Sequence, residues 1–92
     1  MKKKLISVEN KNIFITGAYG YIASKIAIDL ASEGANIIIN GRNLSKLIKL
    51  KDKISKFNTK ITIANFDITD SLCINNFFSK EYKAPLNSII HN

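Results

Sequence analysis

The sequence contains one cysteine, one proline and no tryptophan in 92 residues. A single cysteine excludes a disulfide within the chain, so a disulfide-stapled scaffold is ruled out and a reducing compartment is favoured. No apolar run approaches the roughly 20 residues that cross a bilayer. The basic start at residues 2–4 precedes only two apolar residues before Ser7, which is too short for an export segment. We therefore expect a cytoplasmic protein without membrane contact.

Acidic residues are scarce: seven Asp and Glu face 14 Lys and Arg, which gives a formal net charge of +7. The excess lies mainly at residues 2–4 and in the lysines between positions 46 and 60. A basic protein attracts anions. We favour a solvated helix face over nucleic-acid binding, because no reading motif or aromatic stacking platform accompanies the lysines. Nucleic-acid binding stays as a distant alternative.

Strand-like and helical patterns alternate along the chain. A chain of this length forms one domain, and alternation of this kind predicts an α/β fold with a parallel sheet. Expected inner positions are Ile22, Ile26, Ala27 and Leu30 in the first helix, Leu44, Leu47, Ile48, Leu50, Ile54 and Phe57 in the second, and Leu72, Cys73, Phe77 and Phe78 in the third. We predict strands at 12–16, 35–40, 60–66 and 87–91, and helices at 20–33, from Asn43 to about Phe57, and after Thr69 or Asp70, with Gly34 as a C-terminal cap.

A glycine-bearing turn joins the first strand to the first helix. Gly17 and Gly20 stand between the apolar strand and the helical pattern, in the order that a dinucleotide-binding turn requires. The glycines let the backbone approach a pyrophosphate, and the N-terminus of the helix favours its charge. The alternative is an ordinary strand-to-helix turn.

Arg42 is the only arginine, and no acidic residue lies between Glu33 and Asp52. NAD-dependent enzymes usually place a carboxylate after the second strand to accept from the ribose 2′-hydroxyl. A guanidinium at this point makes a forked, charge-assisted contact with a 2′-phosphate instead. We expect NADP as the cofactor, with NAD as the alternative; the competing interpretation is a surface arginine at a helix start.

Four segments in register resemble the amino-terminal part of a short-chain dehydrogenase/reductase: residues 16–22, 40–43, 67–70 and 89–92. The resemblance implies a partial Rossmann-type, doubly wound sheet of about four strands and three helices, in the order 3-2-1-4. Ala23 stands where the family often has a third glycine, and His91 replaces the first asparagine of its Asn-Asn-Ala-Gly segment. The spacing of Gly17 and Gly20 resembles the family's extended members, whereas residues 41–43 and the chain end resemble its commoner members, so the sub-class stays open. The implied cofactor-binding residues are Gly17, Ala18, Tyr19, Gly20, Tyr21, Ile22, Arg42, Asn43, Asp67, Ile68 and Asn92.

Within this resemblance, Asp67 accepts from the adenine amino group, Ile68 flanks the ring and Asn92 packs beside the ribose. The alternative for Asp67 is a capping role before the third helix. His91 is expected to be a strand-end residue rather than a catalytic one, and Cys73 a small buried apolar group.

Tyr21 and Lys25 have the spacing of the family's catalytic Tyr-x-x-x-Lys. We reject this assignment, because the pair lies in the cofactor turn, whereas the family's pair lies on a helix after a fifth strand. The family's catalytic serine has no counterpart either. Without a group that handles the proton, hydride transfer to a carbonyl is slow.

We therefore expect residues 1–92 to be a single, incomplete NAD(P)-binding domain, either a fragment or a truncated product. Alone it is expected to be catalytically silent, with a small-molecule substrate only in the intact protein. A non-enzymatic NADP-binding or sensing module is the alternative. The fourth strand is expected to leave a bare edge that promotes self-association. Abundant Ile, Lys and Asn are typical of an AT-rich genome, which favours a bacterial source.

Overall fold

A computed structural model describes residues 7–57 and 59–91. Strands and helices alternate there, as the sequence predicts, apart from a π-helical turn that directly follows the third helix. The elements are β1 (Asn12–Ile15), α1 (Tyr21–Ser32), β2 (Asn36–Gly41), α2 (Leu44–Ile54), β3 (Ile61–Asn65), α3 (Ser71–Asn76), the π-helical turn (Phe77–Glu81) and β4 (Ser88–Ile90).

The four strands form one parallel sheet in the order β3-β2-β1-β4, which confirms the predicted α/β fold and strand order. Phe14 of β1 lies in register with Ile38 of β2 on one side and with Ile89 of β4 on the other. Since β1 is the point where the strand order reverses, its carboxyl end opens onto a crevice. Any ligand site built by the strand ends is therefore expected there.

The sheet separates two hydrophobic clusters, because successive side chains of a strand point to opposite faces. Ile13, Ile15, Ile37 and Ile39 pack with the inner residues of α1 and α2 on one face. Phe14 and Ile38 point to the other face, where the π-helical turn supplies Phe77 and the following loop supplies Tyr82. The rings of Phe77 and Tyr82 stack with their centroids 5.8 Å apart. The result is a three-layer arrangement around β1 and β2.

The inner face of α1 differs from the expected one. Ala23, Ala27 and Ala31 are each at most 1% exposed, whereas Ile22 is 65% exposed. The prediction of Ile22 as an inner residue is therefore wrong. The small Ala side chains pack closely with the isoleucines of β1 and β2, whereas the larger Ile28 and Leu30 of α1 are only partly buried against the same cluster.

Some residues of α2 and α3 that sequence periodicity predicts to face the core also lie at the surface. Leu44 and Ile48 of α2 are 47% and 44% exposed, and Leu72 of α3 is 68% exposed, so these three predictions are wrong. Helix α2 ends at Ile54, three residues before the predicted Phe57. A short helix buries only the side that faces the sheet, and hydrophobicity alone does not locate that side.

The helix caps follow the sequence closely. The Asn43 side chain accepts from the Lys46 amide at 3.1 Å, and the Asp70 side chain accepts from the amides of Leu72 and Cys73. Gly34 follows α1 with a φ of +96°, a conformation in which a side chain is strained. These caps fix the residues at which the helices begin and end.

In the described part of the chain, no helix is long and apolar enough to span a membrane.

Candidate functional site

A cavity of about 410 Å³ opens at the carboxyl ends of the strands. Residues that directly follow β1, β2, β3 and β4 all contribute to it. We call it the strand-end cavity; its lining residues are Thr16, Gly17, Tyr19, Asn40, Gly41, Arg42, Phe66, Asp67, Ile68, Thr69 and His91. Its volume falls in the range of about 300–1,000 Å³ that is usual for small-molecule sites.

The turn between β1 and α1 forms one wall of the cavity. Gly17 has a φ of +59°, which favours glycine. The Ala18 amide donates to the Asn40 carbonyl at 3.0 Å, and the Gly20 amide donates to the Gly17 carbonyl at 3.0 Å. Gly20 precedes α1 and has no side chain to cap it. The first amides of α1 and the positive end of its dipole therefore favour an anion.

Tyr19 leans across the end of β2. Its ring occupies the space that a Cβ atom at Gly41 would need. The Lys46 ammonium lies 5.3 Å from the centroid of the same ring. Gly41 is thus a site residue that sequence reasoning missed: its lack of a side chain lets the Tyr19 ring close that side of the cavity.

Arg42 and Asp67 meet at the rim of the cavity. Arg42 Nη1 lies 3.7 Å from Asp67 Oδ2, with the side chains 76% and 43% exposed. Asp67 Oδ1 accepts from the Thr69 amide at 2.9 Å and from the Thr69 hydroxyl at 2.7 Å. These two hydrogen bonds, with a smaller contribution from the Arg42 charge, hold the pKa of the Asp67 carboxyl below its ordinary value. Asp67 therefore presents a carboxylate beside the guanidinium.

Asn40 holds the ends of β2 and β3 together beneath this pair. Its side chain is buried, and Nδ2 donates to the Ala64 carbonyl at 2.9 Å and to the Phe66 carbonyl at 3.0 Å. A carboxylate has no donor for either carbonyl. An acidic residue at position 40 would therefore lose both hydrogen bonds between β2 and the end of β3.

His91 links the end of β4 to the end of β1. Its Nδ1 lies 3.1 Å from Thr16 Oγ1, and the Thr16 amide donates to the Ile90 carbonyl at 3.0 Å. Both side chains reach the cavity wall. The exchange of asparagine for His91 therefore puts an imidazole at the crevice.

The structure brings together only part of the predicted cofactor-binding set. Gly17, Tyr19, Arg42, Asp67 and Ile68 line the cavity. Asn92 lies outside the described residues. The predicted residues that do not line the cavity are Ala18, Gly20, Tyr21, Ile22 and Asn43. Ala18 is buried, whereas Tyr21 and Ile22 are exposed. The Asn43 side chain caps α2, where it accepts from the Ser45 hydroxyl and from the Lys46 amide.

Sequence reasoning missed Thr16 and Phe66 as cavity residues. Both directly follow a strand, and this position was the signal that pointed to them. The rejected pair, Tyr21 and Lys25, does not line the cavity. Lys25 Nζ is 5.4 Å from the centroid of the Tyr21 ring, and Tyr21 is 79% exposed.

Among the described residues, no group of three or more His, Cys, Asp or Glu side chains is placed to hold a metal ion.

Comparisons with known proteins give one consistent family. The sequence profile described as short chain dehydrogenase matches residues 11–92. A very-long-chain 3-oxoacyl-CoA reductase of Vanderwaltozyma polyspora is 36% identical over 81 residues, which is 85% of this chain and 23% of the relative. The chain thus spans less than a third of that relative's length.

Two solved structures share the fold. The structure of YwfH, an NADPH-dependent reductase involved in bacilysin biosynthesis, superposes with a TM-score of 0.81 at 25% identity, over 91% of this chain and 35% of that chain. A metagenomic short-chain oxidoreductase in complex with NADP superposes with a TM-score of 0.80 at 23% identity, over 91% of this chain and 39% of that chain.

Proposed function

The chain belongs to the short-chain dehydrogenase family, and we propose that it is the cofactor-binding segment of an NADP-dependent oxidoreductase that interconverts a carbonyl and an alcohol. The observation that carries the proposal is the position of Arg42 at the rim of a cavity that the Gly17 turn also lines. The cavity thus has a backbone wall suited to a pyrophosphate and a cation suited to a further phosphate.

Each wall has a proposed role. The Gly17 turn and the N-terminus of α1 are proposed to hold the pyrophosphate, because the first amides of a helix and the positive end of its dipole favour an anion. Asp67 and Ile68 hold the adenine, the first by accepting a hydrogen bond and the second by apolar contact. Arg42 holds the 2′-phosphate. When bound, the nicotinamide supplies hydride-transfer chemistry.

The charge at the rim of the strand-end cavity favours NADP over NAD as the cofactor. Among the described residues, Asp67 is the one carboxylate that lines the cavity, and it faces the Arg42 guanidinium. A dianionic 2′-phosphate attracts that guanidinium more strongly than a neutral hydroxyl does. The solved neighbour YwfH is an NADPH-dependent reductase, which supports this choice.

The chain by itself is proposed to be catalytically silent. Among the described residues, Tyr21 and Lys25 do not line the strand-end cavity, and Tyr19, which does, is followed four residues later by Ala23 rather than by a lysine. The same observation favours a second candidate, a non-enzymatic NADP-binding or sensing module. If the chain reduced a carbonyl substrate with NADPH, and Tyr21→Phe lost this activity, the proposal that the chain is catalytically silent would be overturned.

The test of cofactor binding is calorimetric titration of the chain with NADPH and then with NADH. We expect NADPH to bind more tightly, and Arg42→Ala to lower NADPH affinity by about tenfold or more, since a charge-assisted contact contributes about 1.5–3 kcal/mol. NADH affinity should change little. Lys51→Ala is the matched control, because Lys51 is an exposed cation of α2 outside the cavity. An unchanged NADPH-to-NADH ratio in Arg42→Ala would contradict the role of Arg42.

A further inference from the structure

A second cavity, of about 220 Å³, lies on the other side of the Tyr19 ring, between α1 and α2. We call it the lysine cavity. Lys46, Lys49 and Lys53 line it, together with Tyr19, Ser24 and Leu50. The three lysines are spaced by three and four residues, so they share one face of α2. Three cations thus surround one concave surface.

Within residues 7–57 and 59–91, no carboxylate forms an ion pair with Lys46, Lys49 or Lys53. Like charges three and four residues apart repel one another along a helix. An anion in the cavity would remove that repulsion, whereas an ordinary solvated helix face usually intersperses both signs of charge.

The cavity walls orient the cations. The Lys46 ammonium lies 5.3 Å from the centroid of the Tyr19 ring, which directs it toward the wall that the two cavities share. The Ser24 hydroxyl donates to the Tyr21 carbonyl at 3.0 Å. Donors for a ligand are therefore the lysine ammonium groups, each a compact charge with three N–H bonds that suits a phosphate.

We propose that the lysine cavity is an anion site, distinct from the strand-end cavity, that binds the phosphate or diphosphate group of a small molecule. The cavity is smaller than the about 300 Å³ at which whole-ligand pockets begin. It therefore accommodates a charged group rather than a complete nucleotide. A nucleic-acid strand would need bases stacked on exposed aromatic rings, whereas the aromatic wall here is the half-buried Tyr19 that packs on Gly41.

The proposal does not rest on the proposed cofactor function, because its residues other than Tyr19 lie outside the strand-end cavity. The test is a nuclear magnetic resonance titration of the full chain with inorganic pyrophosphate. We compare the wild type with Lys49→Gln/Lys53→Gln. The matched control is Lys51→Gln/Lys60→Gln, which removes the same charge from exposed lysines outside the cavity.

We expect saturable shifts of the Ser24, Lys49 and Lys53 amides in the wild type. Pyrophosphate affinity at these amides should fall by about tenfold in Lys49→Gln/Lys53→Gln, which corresponds to about 1.4 kcal/mol, and by less than about twofold in the control pair. Far-ultraviolet circular dichroism verifies that both variants keep their helices. Binding at the Gly17 turn is followed separately through the Gly17 and Tyr21 amides.

Three results would overturn the proposal. Equal losses in the two pairs would mean that net charge alone attracts the anion. A loss of NADPH affinity in Lys49→Gln/Lys53→Gln as large as the loss of pyrophosphate affinity would assign these lysines to the strand-end cavity. Tighter binding of a single-stranded oligonucleotide than of pyrophosphate at the same amides would assign the face to nucleic acid. Failure of the cofactor proposal would look different: no NADPH binding, with the pyrophosphate shifts at Lys49 intact.

Discussion

Arg42, just after β2, and Asp67, just after β3, face each other across the rim of the strand-end cavity, with 3.7 Å between Nη1 and Oδ2. Both side chains are exposed to solvent, and such pairs contribute only about 0–1 kcal/mol to stability. The pair matters more for recognition: it holds a guanidinium beside a carboxylate at the point where a nucleotide would enter. Protonation of Asp67 would leave the charge of Arg42 unopposed.

Asp67 gives the folded state a specific dependence on pH. Its pKa is lowered by the Thr69 amide, then by the Thr69 hydroxyl and by Arg42. A carboxyl whose pKa is lower in the folded state stabilises it above the unfolded pKa of about 3.9 and loses that contribution as the pH falls through the folded value. We expect Asp67→Asn to unfold at lower urea concentration than the wild type at pH 6–7, and the two curves to converge below the folded pKa of Asp67. A difference that persists undiminished at the lowest pH would contradict the linkage.

Asn40 is expected to be intolerant of an acidic replacement. In Asn40→Asp, a buried carboxylate would face the carbonyls of Ala64 and Phe66, to which Nδ2 now donates. We expect a loss of about 2–4 kcal/mol in the free energy of unfolding, measured by urea denaturation at pH 7. Asn65→Asp is the control, because the exposed Asn65 donates a single bond to the Gly41 carbonyl. Equal losses in both variants would argue against the proposed importance of the two hydrogen bonds that Asn40 Nδ2 donates.

The contact between Tyr19 and Gly41 can be tested by a double-mutant cycle. A Cβ atom at Gly41 would collide with the Tyr19 ring, so we expect Gly41→Ala to cost about 1–3 kcal/mol of stability. In a Tyr19→Ala background the collision is absent, and the same substitution should cost much less. Urea denaturation of the four proteins measures the coupling. Additive effects would show that the ring does not depend on a glycine at this position.

The outer side of β4 is expected to promote self-association. In the described part of the chain β4 pairs with β1 alone, and Ile89 is 62% exposed. We expect sedimentation velocity to show an association that grows with protein concentration and weakens in Ile89→Lys, because a charge on an edge strand opposes pairing. Ile48→Lys on α2 is the control, since Ile48 is 44% exposed and α2 packs on β2 and β3 at the other side of the sheet from β4. A wild type that stays monomeric at every concentration would refute the expectation.

The parts of the fold that depend on neighbouring residues were predictable. The alternation of strands and helices follows from local periodicity, and Asn43, Asp70 and Gly34 mark helix ends through bonds and backbone angles within a few residues. The strand order came from the family resemblance, and the structure confirms it. In the site, Gly17 was identifiable from its place between a strand and a helix, Arg42 from the lack of acidic residues around it, and Asp67 from the family resemblance.

Local patterns in the sequence are therefore enough to predict the order of the elements, their caps and the edge of the sheet at which the strand-end cavity opens. Contacts between distant segments determine that alanines, not Ile22, face the sheet from α1, that Asn40 joins β2 to β3, and that Tyr19 packs on Gly41. Each of these depends on the distance between elements that are far apart in the chain. Hydrophobicity and spacing report which residues prefer burial, but close packing determines which of them find the space.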